Sequence, residues 1–339
     1  MSMLSYASPA PTPIVAGRGF FSRYLREISV AAAYAALLLT LFYIRPAFFQ
    51  SRFGSQSQFA LTWVSAAPIL VAAVGMTLVI IARHIDISIG SQFSVCGIVA
   101  GMLAVHHVPA PGIVVGTLAA GALMGAINGG LVAGMGLPSI VVTLATMVIL
   151  RGALTWITQG ATVHLPDSFQ WFGKSQSVGQ GRMIGVALLV FVAFGWALRW
   201  LRAGRAVYAV GSDEEAARLA GVRPKRVVFA VFVIMGILTG VAALLNAMQF
   251  ITIYPSAGKD LELAVIAAVV VGGVAITGGR GTLIGTLLGV ALLTTIGPAL
   301  GYFHAQSKWA GPEWAKAIQG LIILLAVATD GLSKRQRNE

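Results

Sequence analysis

Long apolar runs separated by short polar, glycine- or proline-marked breaks organise the chain. The runs fall near residues 28–44, 59–82, 87–105, 111–135, 137–157, 183–199, 227–250, 262–277, 282–303 and 316–330. Most of them approach the roughly 20 apolar residues that a helix needs to cross about 30 Å of hydrocarbon. In lipid only a helix satisfies every backbone N–H and C=O within its own segment. The pattern therefore predicts an all-α, polytopic membrane protein of about ten transmembrane helices. Residues 87–150 make the case most strongly. They contain no Asp, Glu, Lys or Arg, their only basic side chains are His106 and His107, and they leave room for three spans.

Composition agrees. Hydrophobic residues make up 57% of the 339 and charged residues 10%, against about 45–50% and 25% in soluble domains. A soluble chain of this size would lack the charge to cover its surface, so lipid is the expected solvent. The net charge of +12 comes without a basic patch carrying interleaved aromatics, which argues for basic loops against anionic lipid rather than for nucleic acid. Cys96 is the only cysteine and lies inside an apolar run, which excludes a disulfide framework or thiol metal site. No cleavable signal sequence is expected, because the start of the chain is polar, contains proline and lacks a small-residue cleavage site.

Orientation follows from the basic residues. With the N-terminus inside, ten spans return the C-terminus to the cytoplasm. The inside segments then hold most of the 23 Lys and Arg, among them Arg18, Arg23, Arg26, Arg83, Arg199, Arg202, Arg205, Arg218, Arg223, Lys225, Arg226, Arg280, Lys334, Arg335 and Arg337. That asymmetry favours both termini inside. The expected organisation is a cytoplasmic tail at 1–27, a transmembrane domain at 28–330 with a cytoplasmic loop at 200–226, and a cytoplasmic tail at 331–339. Rows of glycine at intervals of four, Gly121, Gly125 and Gly129 and again Gly281, Gly285 and Gly289, predict helices in close backbone contact. Glycine-rich breaks at 85–91 and 277–281 hint at an internal repeat with broken helices beside a transport path.

One stretch of the cytoplasmic loop has the grammar of a short helix. Ser212 suits an N-cap, with Glu215 three residues later to complete a capping box. Asp213 and Glu214 favour the positive helix end. Gly221 suits a left-handed stop, and Pro224 prevents continuation. A helix of about two turns is marginal in water, so it is expected to rest on a partner or on its own bundle.

Polar groups in the apolar runs are the candidates for a path. Asp86 stands at a break, either as a proton or substrate site or as an interfacial residue that pairs with Arg83 and caps the next helix. Arg151 either lines a polar path or snorkels to the outer headgroups. Ser88, Asn128, Thr143, Thr146, Asn246 and Gln249 offer hydrogen bonds to a hydroxylated solute, or to neighbouring helices. His106 and His107 share an external turn without a third ligand, so no metal site is expected. Asp260 and Glu262 read as a solvated external turn. Gly173-Lys174-Ser175 lacks the glycine that a phosphate loop needs at 168, where Ser168 stands.

The Glu215-Ala216-Ala217 helix ending at Gly221 resembles the cytoplasmic coupling helix of ABC-importer permeases. Three further stretches resemble the sugar-type permeases of the ribose, rhamnose and autoinducer-2 systems. One is Gly75-Met76-Thr77-Leu78-Val79-Ile80 with Ile85-Asp86-Ile87-Ser88-Ile89-Gly90-Ser91. Another is Pro138-Ser139-Ile140-Val141-Val142-Thr143-Leu144-Ala145-Thr146-Met147 with Leu150-Arg151-Gly152. The third is Ala267-Ala268-Val269-Val270-Val271-Gly272-Gly273 with Gly278-Gly279-Arg280-Gly281. Arg83-His84 replaces the commoner Gly-Gly, as in the rhamnose and autoinducer-2 branches.

The resemblance implies a permease subunit in the bacterial inner membrane, paired with a second permease and served by two ATP-binding cassette subunits and a periplasmic sugar-binding protein. It also implies that ATP is used by the partner, that this chain is no enzyme and holds no cofactor, and that Ser212, Glu214, Glu215, Ala216, Ala217, Arg218 and Gly221 form the ATPase-coupling helix. The competing class is an ion-coupled secondary transporter with Asp86 as its ion site.

Overall fold

The computed structural model describes residues 20–44, 46–50, 57–166, 176–250 and 252–304, together with positions 314, 317, 318, 320, 321 and 324. Helices dominate: α1 (Phe20–Ile44), α2 (Gln58–Ile81), α3 (Ile89–Val105), α4 (Ala110–Gly129), α5 (Ser139–Thr158), α6 (Gln176–Trp200), α7 (Arg202–Ser212), α8 (Glu214–Leu219), α9 (Pro224–Gln249), α10 (Leu261–Val271) and α11 (Leu283–His304). A π-helical turn, Gly130–Gly134, extends α4. Two-residue strands β1 (Val163–His164) and β2 (Thr252–Ile253) pair antiparallel.

Nine of the ten predicted runs correspond to helices in order. Seven of these are long and apolar enough to cross a membrane, whereas α3 and α10 are shorter. The tenth run, 316–330, lies mostly outside the described residues. The run at 262–277 is where hydropathy overreaches. The chain leaves the helix at Gly272 and turns through Gly273, at φ 94°, before α11 begins. Apolar side chains continue to Ile276, but hydropathy is blind to a backbone turn made by two glycines.

Burial separates the helices into hub and rim. In α2, 89% of the apolar window is buried, and in α9 61%, whereas α5 buries 17% of its window. Met76, Ile80 and Ile81 of α2 and Phe232 and Met235 of α9 are fully enclosed. Against this hub, α4 crosses α9 at backbone contact. A Cβ on Gly121 would lie 2.2 Å from the Gly236 carbonyl oxygen, and one on Gly125 2.3 Å from that of Phe232. The second row does the same on the other side. Cβ atoms on Gly285 and Gly289 would lie 1.9 and 2.0 Å from the carbonyl oxygens of Gly272 and Ala268. Without a hydrophobic driving force between helices in lipid, such close approach supplies the dispersion contacts that hold them. Thr77 of α2 and Thr286 of α11 add a buried hydroxyl pair at 2.8 Å.

Gly125→Val is expected to force α4 from α9 and cost about 1–3 kcal/mol, the usual range for overpacking. Gly130→Val, at a position with nothing within 4 Å of the added Cβ, is expected to cost far less. Thermal unfolding of the two variants in detergent tests the difference.

Candidate translocation path and coupling loop

The break between α2 and α3 is built around Asp86. Beyond Ala82, Arg83 adopts a left-handed φ of 73°, and the turn sends neighbouring side chains in opposite directions. Arg83 is exposed, whereas Asp86 has no exposed surface. The expected Arg83–Asp86 pair therefore does not form. Instead the Asp86 carboxylate accepts the N–H and hydroxyl of Ser88, at 2.9 and 2.5 Å, and the side-chain amide of Gln92 at 3.1 Å. The N-cap of α3 is Ser88, which makes no side-chain cap bond, so Asp86 does not cap the helix but accepts the N–H of its cap residue. Hydrogen bonds of this kind are what make a buried carboxyl tolerable.

The network then leaves α3. Ser88 Oγ accepts from Gln92 at 2.7 Å and from the Asn128 amide of α4 at 2.8 Å. Thr146 of α5 donates to Asn128 Oδ1 at 2.7 Å. Thr143 bonds the Ser139 carbonyl at 2.8 Å, one turn back, and reaches the Ile85 carbonyl at 3.4 Å. Asp86, Ser88, Asn128, Thr143 and Thr146 are thus brought together as a helix-to-helix clamp. Asn246 and Gln249 lie apart from it, in the last turn of α9.

A second polar region lies between α3, α5 and the turn that precedes α10. Glu262, expected in a solvated turn, is buried in the first turn of α10. The reason is Gly90, since a Cβ there would sit 2.1 Å from Glu262 Oε2, so only glycine makes room for the carboxylate. Arg151 pairs with Glu262 Oε1 at 3.4 Å while 43% of its own side chain stays exposed. Snorkelling to headgroups is not what occupies this guanidinium. It borders a cavity of about 300 Å³ shared with Ser91, Ser94, Thr155, Tyr254 and Lys259. An open groove of about 680 Å³ continues along α5 past Met147, Arg151, Thr155, Trp156 and Gln159. His106 and His107 are exposed at their turn, and among the described residues no group of His, Cys, Asp and Glu could hold a metal ion.

The loop between α6 and α9 holds two helices rather than one. Ser212 is the last residue of α7, and the N-cap of α8 is Asp213, whose Oδ1 accepts the Ala216 N–H at 2.9 Å. The predicted capping box is displaced by one residue, because α7 extends through Ser212 and leaves Asp213 as the extended link. Glu215 pairs with Arg218 at 2.5 Å instead of reaching back. Gly221 does adopt the left-handed stop, at φ 84°, and Pro224 opens α9.

Helix α7 is wedged against both glycine-rich breaks. A Cβ on Gly211 would lie 1.7 Å from the Ile81 carbonyl oxygen and 2.8 Å from the Gly279 nitrogen. Gly279 donates its own N–H to Ile81 at 2.9 Å, and the Tyr208 hydroxyl donates to the Gly281 carbonyl at 2.8 Å. Beyond this wedge α8 stands out from the bundle. Ala217 is buried beneath it, while Leu219 is 80% exposed.

Sequence reasoning missed Gln92, Gly211 and Leu219, took Asp213 for a first-turn charge rather than the cap, and misplaced Glu262. Signals were present for two of them. A lone acidic residue heading an apolar run, as Glu262 does, suggests a buried partner, and a leucine on a polar two-turn helix, as Leu219 is, suggests docking.

A family model described as the permease component of the branched-chain amino acid transport system matches residues 58–327. The Ribose import permease protein RbsC of Escherichia coli strain K12 is 33% identical over 327 residues, covering 94% of this chain and 98% of the relative. The Autoinducer 2 import system permease protein LsrC of Klebsiella pneumoniae is 34% identical over 318 residues, covering 92% and 90%. The Probable ABC transporter permease protein y4mJ of Sinorhizobium fredii is 32% identical over 345 residues, covering 99% and 98%. No solved structure matches the chain. A helical bundle with polar clamps at its helix breaks, matched over nearly its whole length, belongs to the family of branched-chain amino acid transport system permease components, and the chain is a multi-pass inner-membrane permease.

Proposed function

We propose that this chain is the permease subunit of an ABC importer that admits a small neutral hydroxylated solute of the ribose, rhamnose or autoinducer-2 kind. It works with two ATP-binding cassette subunits, a periplasmic solute-binding protein and a second permease copy or homologue. Both termini lie in the cytoplasm, with tails at 1–27 and 331–339 around the 28–330 domain. No cofactor resides in this chain, and the partner subunit uses the ATP.

The observation that carries the reading is the α7–α8 element. Its outer tip presents Glu214, Glu215, Arg218 and Leu219 to solvent, while its base touches the backbone of both helix breaks through Gly211. A free two-turn helix is marginal, so an apolar side chain held at its tip is suited to a protein socket. Ala217 seats this coupling helix on the bundle, while Ser212, Ala216 and Gly221 complete it on the exposed side. Force applied at its tip reaches Ile81 and Gly279 through the single extended residue Asp213 and the last turn of α7, and those residues end α2 and lead into α11. The two ends of the path therefore move with the ATPase.

The exposed face of α5 supports a paired conduit. Arg151, Thr155 and Gln159 recur at helical spacing on it, yet a charge facing lipid costs about 2.5–3.5 kcal/mol. That face is better placed on water and a second permease. Asp86, Ser88, Asn128, Thr143 and Thr146 brace the inner path, and Asn246 and Gln249 are its remaining polar candidates. The relatives carry ABC and import in their printed names, and nothing among them favours ion coupling.

Leu219→Asp is expected to abolish co-purification with the ATPase subunit and stop uptake, while the variant itself remains inserted and monodisperse. Retained uptake would remove α8 from the coupling role. Gly211→Ala is expected to leave ATPase binding intact and lower uptake at least tenfold, because the added methyl displaces Ile81 or Gly279. Uptake beside co-purification separates the two effects. Asp86→Asn is expected to lower thermal stability by about 1–3 kcal/mol, since its amide N–H groups would face the donors of Ser88 or Gln92 and leave a buried donor unpaired, and to leave the pH profile of uptake unchanged. An ion-coupled carrier using Asp86 would lose that profile.

A further inference from the structure

The cavity between α3, α5 and the turn before α10 has a donor and acceptor pattern that selects one kind of ligand. Ser91 donates its hydroxyl proton to the Met147 carbonyl at 2.9 Å, and Thr155 donates its own to the Arg151 carbonyl at 2.9 Å. Both oxygens are left with lone pairs and no proton to offer. Ser94 is the reverse, because it accepts the Gly258 N–H at 2.9 Å and keeps its proton available. Arg151 brings five N–H donors in a planar fork, of which the structure commits one, at 3.4 Å, to Glu262.

The walls thus alternate acceptors with donors. Lys259 on the lining adds an exposed ammonium donor, and an anion without hydroxyls, which accepts only, would still set its oxygens against the lone pairs of Ser91 and Thr155. A hydroxyl both donates and accepts, so it satisfies both kinds of wall. The volume of about 300 Å³ is at the low end of small-molecule sites, which run from about 300 to 1,000 Å³. Tyr254 at the rim offers a ring for the apolar face of a sugar-like solute.

We propose that this cavity is a solute-binding station within the permease itself, taking one small neutral polyhydroxylated molecule, with Arg151 as its principal donor and Glu262 as the positioning residue that aims Arg151. Glu262 is suited to that role because it is fixed. Gly90 and Gly258 close around it, with a Cβ on Gly90 only 2.3 Å from the Gly258 carbonyl oxygen, and its Oε2 is buried without a hydrogen-bond partner. A carboxylate held this way binds the guanidinium through Oε1 and leaves the remaining N–H groups to the cavity. The station discriminates hydroxyl patterns after any selection by the soluble binding protein. This inference rests on the permease reading but is tested apart from it.

Cys96 is the only cysteine and is buried, so Thr155→Cys supplies a single accessible thiol in the full-length chain. Right-side-out vesicles carrying this variant are labelled from outside with a membrane-impermeant maleimide, with D-ribose, L-rhamnose or sulfate present. At least one of the two neutral sugars is expected to slow labelling of Thr155→Cys severalfold, while sulfate, which has no hydroxyl to donate, does not. Labelling of His107→Cys at the external turn is expected to be unaffected by all three. Adding Glu262→Gln is expected to raise the sugar concentration for half-protection about tenfold, the scale of one charge-assisted hydrogen bond lost, without changing the labelling rate in its absence. Absence of protection by both sugars, or equal protection by sulfate, overturns the station. Uptake by the wild type is scored separately, so active import without protection leaves the permease reading standing and removes only this site.

Discussion

Backbone-to-backbone contact between helices is the constraint on which the rest of the structure depends. In water, side-chain burial would drive the helices together. In lipid it does not, and association relies on dispersion at short range and on hydrogen bonds between helices. The glycines at 121, 125, 236, 272, 285 and 289 permit approaches that any side chain would prevent. With the hub of α2 and α9 fixed in this way, the helix breaks at 82–88 and 272–281 occupy definite positions. Polar residues at those breaks then find partners on neighbouring helices instead of water.

The same constraint suits the proposed coupling loop to act as a lever rather than a tether. Gly211 seats α7 on the Ile81 carbonyl, and Gly279 hydrogen-bonds the same carbonyl from the other side. Three segments distant in sequence therefore share one point of contact. Only the extended residue Asp213 separates α8 from α7, whose last turn sits in that junction. The Asp86 clamp plays the complementary part by tying the start of α3 to α4 and α5, so that the break moves as a unit with two helices of the path.

Hydropathy made the spans legible, and glycine spacing made their packing legible, because both properties are local in sequence. The short helix at 214–219 was readable from its stop at Gly221 and Pro224. Its true cap was not, because the choice between Ser212 and Asp213 depends on how far α7 extends, which α7's seat on Ile81 decides. Asp86 shows the same limit. Beside Arg83 in sequence it suggested an ion pair, but one left-handed residue turned the arginine outward and the carboxylate inward. Glu262 looked solvated among loop residues, and only the space left by Gly90, far away in sequence, shows where it goes. Local chemistry set the elements, and long-range backbone contact set the partners.

The central claim is that this chain forms a path that a separate ATPase opens through α8. Uptake into proteoliposomes containing the assembled transporter, loaded with ATP and with proton and sodium gradients collapsed by ionophores, tests it most directly. The account predicts solute accumulation that requires hydrolysable ATP and the binding protein and persists without any ion gradient. Accumulation that stops when the gradients are collapsed, or proceeds without ATP, would contradict it.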